Sequence, residues 1–182
     1  MEGRPWRLGP SGCGKTTLLD MLAGKKTSPY TGEVFLNGQP RNWLYPRVTS
    51  YVPQQDVMPP YWTVAEAVEF NHRLRYQADD VSNELRRMYV EEILSFFGLL
   101  SVKDSFIGDD TVRGISGGQK RRVTLARGFV AGSQIVFADE PTSGLSATDA
   151  ELCVRAMTAA SRKMGTAFVV VIHQPRVGAW PS

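Results

Sequence analysis

Apolar and polar positions change rhythm twice along the chain, and the changes mark out its elements. Thr16 to Ala23 reads as a helix that ends near Gly24, a residue suited to the position just past a helix. Glu33 to Leu36 reads as a short strand closed by the turn pair Asn37-Gly38, and Val48 to Val52 as a second strand stopped by Pro53. The pattern then turns helical. Thr63 and Glu66 form a T-x-x-E capping box that opens a helix to about Arg75. A longer helix spans about Ser82 to Phe97, with Leu85, Tyr89, Ile93 and Phe96 or Phe97 on one face and Gly98 behind it. Gln119 to Val130 makes a third helix. Strands return at Gln134 to Ala138 and Thr166 to Ile172, with a helix from about Ala147 to Met164 between them. Both late strands are apolar almost throughout, as parallel strands covered on two faces must be.

The pattern predicts an α/β sheet core, residues 1–55 and 132–182, split by a helical insert over 56–131. No proline-rich or glycine-serine linker separates the parts, so the insert reads as a lobe of the same domain. At 182 residues, with 42% hydrophobic and 21% charged positions, the chain is long enough to bury one core. Two cysteines, Cys13 and Cys153, argue against a secreted disulfide framework. The longest apolar run, Ala167 to Ile172, is far short of the roughly 20 residues that span a bilayer, and Met1 to Pro10 lacks the apolar stretch of a signal peptide. Net charge is +3. The basic residues fall in short clusters, Lys25-Lys26, Arg86-Arg87 and Lys120-Arg121-Arg122, among 18 acidic ones. They read as solvated surface rather than as a nucleic-acid face.

Four features carry chemistry. Gly9-Pro10-Ser11-Gly12-Cys13-Gly14-Lys15-Thr16 fits G-x-x-x-x-G-K-[ST], in which glycines let backbone N–H groups close on phosphate oxygens at the start of a helix. In such a loop Lys15 reaches the β- and γ-phosphates and the Thr16 hydroxyl ligates Mg²⁺. Ile135 to Ala138 is an apolar strand ending in Asp139-Glu140, which suits one carboxylate near Mg²⁺ and one beside an attacking water. Ser116-Gly117-Gly118-Gln119-Lys120 opens the third helix with two glycines, a weak helix start that suits a backbone anion site. His173 follows the last strand, at the end where α/β sheets hold their ligands.

In this order these features resemble the nucleotide-binding domain of an ABC transporter. Ile115-Ser116-Gly117-Gly118-Gln119 is one conservative change from that family's Leu-Ser-Gly-Gly-Gln signature, and Tyr51-Val52-Pro53-Gln54 matches its Q-loop. Thr16-Thr17-Leu18-Leu19, Val112-Arg113-Gly114-Ile115, Arg121-Arg122-Val123, Glu140-Pro141-Thr142-Ser143-Gly144-Leu145 and Ile172-His173-Gln174-Pro175 resemble the G subfamily, the White and pleiotropic-drug-resistance group. The resemblance implies a P-loop NTPase fold of the RecA-like kind, a mainly parallel sheet with an inserted helical lobe that carries the signature. It implies ATP and Mg²⁺ as ligands. Gly9 to Thr17 would hold the nucleotide, together with Ser116, Gly117, Gly118 and Gln119. Thr16, Gln54 and Asp139 would serve the metal, and Glu140, His173 and Gln54 the hydrolysis. It also implies two partners, a second such domain in a head-to-tail dimer and a transmembrane domain that exports lipid, sterol or hydrophobic compounds. The domain would then lie at the cytoplasmic face of a membrane.

Three departures from the family pattern stand out. Pro5-Trp6-Arg7 is a poor substitute for the apolar strand expected before the P-loop, and no adenine-stacking aromatic precedes it. The chain stops at Ser182, soon after the H-switch histidine, so it reads as a fragment or truncated gene model. Ser146 replaces the D-loop aspartate, though it remains a sound cap for the next helix, with Asp149 as its N3 partner. Two other readings stay open: a soluble ABC ATPase of the translation-factor type, and a nucleotide-binding remnant without turnover. The DNA-repair type is excluded, because only about 100 positions separate Lys15 from Ser116, too few for its coiled coil.

Overall fold

In the computed structural model, which describes residues 6–7, 12–26, 29–76 and 81–172, four strands form a parallel sheet in the order β1-β6-β5-β4. These are β1 (Trp6–Arg7), β4 (Thr49–Val52), β5 (Ile135–Asp139) and β6 (Ala167–Val171). Alternation along β5 and β6 sends side chains to two separate cores. Phe137 and Val171 face α1 (Lys15–Ala23) and α2 (Tyr45–Val48), where Leu19 and Tyr45 bury against them. Val136, Ala138 and Val170 face the other way. There they join a cluster that runs through α6 (Ala147–Met164) and α5 (Gly117–Phe129) to α3 (Val64–Arg75) and α4 (Asn83–Phe96). The two-sided covering expected of the late strands is present.

Local chemistry sets most boundaries. Thr63 caps α3 with the full reciprocal box: its hydroxyl accepts from Glu66 N–H, and the Glu66 carboxylate accepts from Thr63 N–H at 2.8 Å. Ser82 and Ser146 cap α4 and α6. Asn37 and Gly38, with φ of 51° and 79°, make the tight turn between β2 (Phe35–Leu36) and β3 (Gln39–Pro40), both residues taking the positive φ such a hairpin requires. The sequence reading missed β3 and α2.

Other expectations need correction. Trp6-Arg7 does form a strand, in parallel register with Val170 and Val171 of β6, despite its polar character. Backbone pairing needs no apolar side chain. The buried face of α4 is shifted from the predicted one. Leu85 is 59% exposed, whereas Arg86, Val90, Ile93 and Leu94 are buried. Arg86 takes an inward position with its two terminal nitrogens met locally, by Asn83 Oδ1 at 2.8 Å and the Val81 carbonyl at 3.3 Å. Arg121 and Arg122 are buried as well, so two of the three basic clusters place arginines inside, although Arg87 keeps the solvated position expected of it.

Candidate functional site

The carboxyl ends of β4 and β5 and the start of α1 converge on one place. Gly12 and Gly14 hold φ of 80° and 85°, and nothing lies within 4 Å of a Cβ built on either. Their glycines are therefore required by backbone conformation. Gly14 is the N-cap of α1 and offers no side-chain partner to the first N–H groups of that helix. Lys15 opens α1, its Nζ 3.9 Å from Cys13 Sγ. Gly9, Pro10, Ser11 and His173 lie outside the described residues; Thr17, on the first turn of α1, is exposed.

Thr16 Oγ1 donates to Asp139 Oδ1 at 3.1 Å, across 123 positions of sequence. Asp139 is 5% exposed, and its carboxyl is pushed above the ordinary range. Burial is the main cause; the Thr16 hydrogen bond opposes it, and the charges of Glu140 and Asp20 add to it. Beside this pair Gln54 Nε2 donates to Glu140 Oε2 at 2.9 Å, joining the loop after β4 to the turn after β5. Glu140 has φ of 44°, in the left-handed region. Such a backbone costs a non-glycine residue about 1 kcal/mol or more and persists only when its surroundings over-determine it. Here the Glu140 N–H donates to the Val171 carbonyl at 3.0 Å, and its own carbonyl accepts from Ser143 N–H and Arg121 Nη2. The hydroxyl, two carboxylates and amide make a hard-oxygen, hydrogen-bonding cluster. It can hold an oxygen-loving cation and polarise a water.

The signature residues stand elsewhere, at the start of α5. Ser116 caps that helix reciprocally with Gln119, two residues earlier than the predicted start. The glycines there have distinct roles. Gly117 faces open space, leaving backbone free to be approached, while a Cβ on Gly118 would lie 2.3 Å from the Asp149 carboxylate. Asp149 is in turn held by Ser146, whose hydroxyl accepts from Asp149 N–H at 3.1 Å and donates to Asp149 Oδ2 at 2.8 Å. The Ser146 cap is thus formed as its sequence position suggests.

The sequence reading passed over Arg121 and Arg122 as candidate site residues. Arg122 Nη1 donates to the Phe97 carbonyl at 3.1 Å, and Arg121 bonds the loops that carry Gln54 and Glu140. The overlooked signal lay in α5 itself. Val123, Leu125, Ala126 and Phe129 share one broad side of the helix, with Arg122 inside that arc and Arg121 at its edge.

Comparisons with known proteins bear on the family and the fold. A family model described as ABC transporter matches residues 7–143. ABC transporter G family member 5 of Dictyostelium discoideum is 39% identical over 169 residues, covering 92% of this chain and 11% of that protein. Pleiotropic drug resistance protein 2 of Nicotiana plumbaginifolia is 40% identical over 172 residues, covering 93% and 12%. The chain thus spans about a tenth of the length of these curated relatives. Among solved structures, a dimeric ATP-binding cassette in a post-hydrolysis state, bound to ADP and Pi, superposes with a TM-score of 0.73 at 29% identity, covering 92% of this chain and 73% of that one. With its α/β P-loop NTPase architecture and a family match over most of its length, the chain belongs to the ABC transporter family.

Proposed function

We propose that this chain binds and hydrolyses MgATP as half of a head-to-tail pair of such domains, and that the cycle powers export of lipid, sterol or other hydrophobic compounds through membrane helices. One observation carries the reading. The Thr16–Asp139 hydrogen bond joins the helix start that would hold phosphate to the strand end that would hold the metal, with Gln54–Glu140 alongside.

In this reading the loop Gly9 to Thr17 cradles the phosphates, and Lys15 adds a positive charge at the β- and γ-groups. Thr16, Asp139 and Gln54 are hard-oxygen donors that fit Mg²⁺. Among the described residues no three His, Cys, Asp or Glu side chains form a cage, so the ion would complete its shell with phosphate and water. When bound it draws charge from the γ-phosphate. Glu140 takes the proton of the attacking water, Gln54 holds Glu140 Oε2 in place, and His173 steadies the γ-phosphate. Ser116 to Gln119 serve the nucleotide of the second domain, which the open space at Gly117 leaves room for. Residues 56–131 form the lobe that meets the transmembrane partner at the cytoplasmic face. No helix among the described residues is long and apolar enough to cross a membrane. The similarity to a dimeric cassette bound to ADP and Pi, and to relatives named for drug resistance, supports the pairing and the cargo class.

The test is a pair of substitutions in the protein that carries this chain. Lys15→Ala abolishes ATP binding. Glu140→Gln keeps binding, slows turnover by about 100-fold or more, and traps an ATP-dependent dimer visible by size exclusion. Normal ATP affinity and rate in Lys15→Ala removes the P-loop assignment, and normal turnover in Glu140→Gln removes Glu140 as the base.

A further inference from the structure

We infer that Arg121 is a positioning residue for hydrolysis: it ties the signature end of α5 to the Gln54–Glu140 pair of the same chain. The inference rests on the proposed roles of those two residues. Arg121 is 2% exposed and its guanidinium meets six acceptors. Three belong to the loop after β4: the Pro53 carbonyl at 2.6 Å, the Gln54 carbonyl at 3.1 Å and Asp56 Oδ1 at 3.0 Å, all from Nη1. Three are successive carbonyls of the turn after β5: Asp139 at 3.0 Å and Glu140 at 3.1 Å from Nη2, and Pro141 at 3.0 Å from Nε.

These are the two loops whose side chains meet in the Gln54 Nε2–Glu140 Oε2 bond. Arg121 does not touch that bond. It holds the main chain from which both side chains start, and it accounts for part of what keeps Glu140 at φ 44°. The geometry needs arginine. A guanidinium has five N–H groups spread in one plane, enough to reach both loops at once with one bond shared, whereas an ammonium has three on a single nitrogen.

The helix supplies the connection. Arg121 lies on the second turn of α5, four residues beyond Gly117, and the capping box of Ser116 and Gln119 makes that start a firm end of the helix. Ser116 to Gln119 lie about one turn from Arg121, roughly 5 Å along the axis, so a displacement there is carried to the guanidinium by a rigid element. Contact between the signature and the nucleotide of a second domain thus sets the placement of Gln54 and Glu140 in this chain. Each composite site reports its closure to the other through one arginine.

The experiment measures kcat, KM and equilibrium ATP affinity for Arg121→Lys, for Gln54→Ala and for the double variant, in the protein that carries this chain. Arg121→Lys is expected to lower kcat by about 10- to 100-fold while ATP affinity stays within about twofold, since a small misplacement of reacting groups costs that much in rate. In the Gln54→Ala background the same substitution costs less than about threefold, because part of what it positions is already gone. Unchanged kcat in Arg121→Lys overturns the inference. So do losses that multiply in the double variant, or a fall in ATP affinity as large as the fall in kcat, which would mark a merely structural residue. Should the arginine variant not fold, Asp56→Asn takes its place: kcat falls with ATP affinity unchanged, and an unchanged kcat overturns the inference. The Glu140→Gln test stands apart from all of these, so failure of the catalytic reading and failure of the inference are distinguishable.

Discussion

At the scale of single residues, Asp139 shows what the site costs the fold. Its carboxyl titrates above the ordinary range because it is buried, and the Thr16 hydroxyl and the Arg121 charge only partly offset that. A carboxyl whose folded pKa is raised binds its proton more tightly in the fold than in the unfolded chain. Its contribution to stability is therefore greatest below the unfolded value of about 3.9 and falls as pH rises through the folded value. At neutral pH the buried charge weighs against folding unless a cation meets it. Asp139→Asn keeps an oxygen to accept from Thr16 and removes the charge. We expect its melting temperature to exceed the parent's near neutral pH and the gain to shrink on acidification towards about pH 4. Mg²⁺ with nucleotide should raise the parent's melting temperature and leave that of the variant nearly unchanged. A variant less stable than the parent at pH 7 would mean that the charge is already compensated within the fold.

Among the elements, the contact of α3 with α4 is the one most exposed to acid. His72, on α3, is buried between the rings of Tyr76 and Tyr89, with centroids 4.7 and 5.3 Å away, and among the described residues its Nδ1 has no hydrogen-bond partner. Burial lowers its pKa first, the Arg86 charge on α4 lowers it further, and Glu69 opposes both. The folded state thus holds the imidazole neutral. Stability is full above the ordinary value of about 6.5 and is lost as pH falls from there towards the depressed folded value. His72→Phe keeps a ring between the two tyrosines and has nothing to protonate. Melting followed from pH 8 to pH 5 should give curves that start together or with the variant ahead, then diverge in the variant's favour. Parallel curves across that range would show that His72 does not set the acid limit.

Across the whole molecule, helices α3 and α4 share one core with the sheet, and α5 lies against both. Gly128 of α5 crosses β4 so closely that a Cβ there would lie 2.5 Å from Val52 Cγ2, and Val52 is 1% exposed. Gly128→Ala should cost about 1–3 kcal/mol through overpacking. Val52→Ala opens the space that the new methyl needs. The double variant should then be more stable than the sum of the single losses predicts, by about 1 kcal/mol or more in urea unfolding. Additive losses would mean that helix and strand separate without touching at this crossing. The same packing explains why Arg121 can bridge two loops: the helix that carries it is pressed onto the sheet whose strand ends it binds.

What the chain's linear order determined was everything set by local chemistry. The capping box at Thr63, the hairpin turn at Asn37-Gly38 and the apolar runs of β5 and β6 depend on neighbours within a few positions, so those positions suffice to read them. The glycine-rich run from Gly9 to Thr16 and the paired acids Asp139-Glu140 were legible for the same reason, each being a compact motif. Tertiary structure alone decided which residues stand together across the sheet: Thr16 with Asp139, Gln54 with Glu140, and Arg121 with six acceptors from two loops. It also decided that Arg121 and Arg122 go inside. A charged side chain is placed by whether distant carbonyls and carboxylates arrive to meet it, and no local pattern records that arrival. Leu85 lies outside, while Arg86, one position on, takes the buried side of α4.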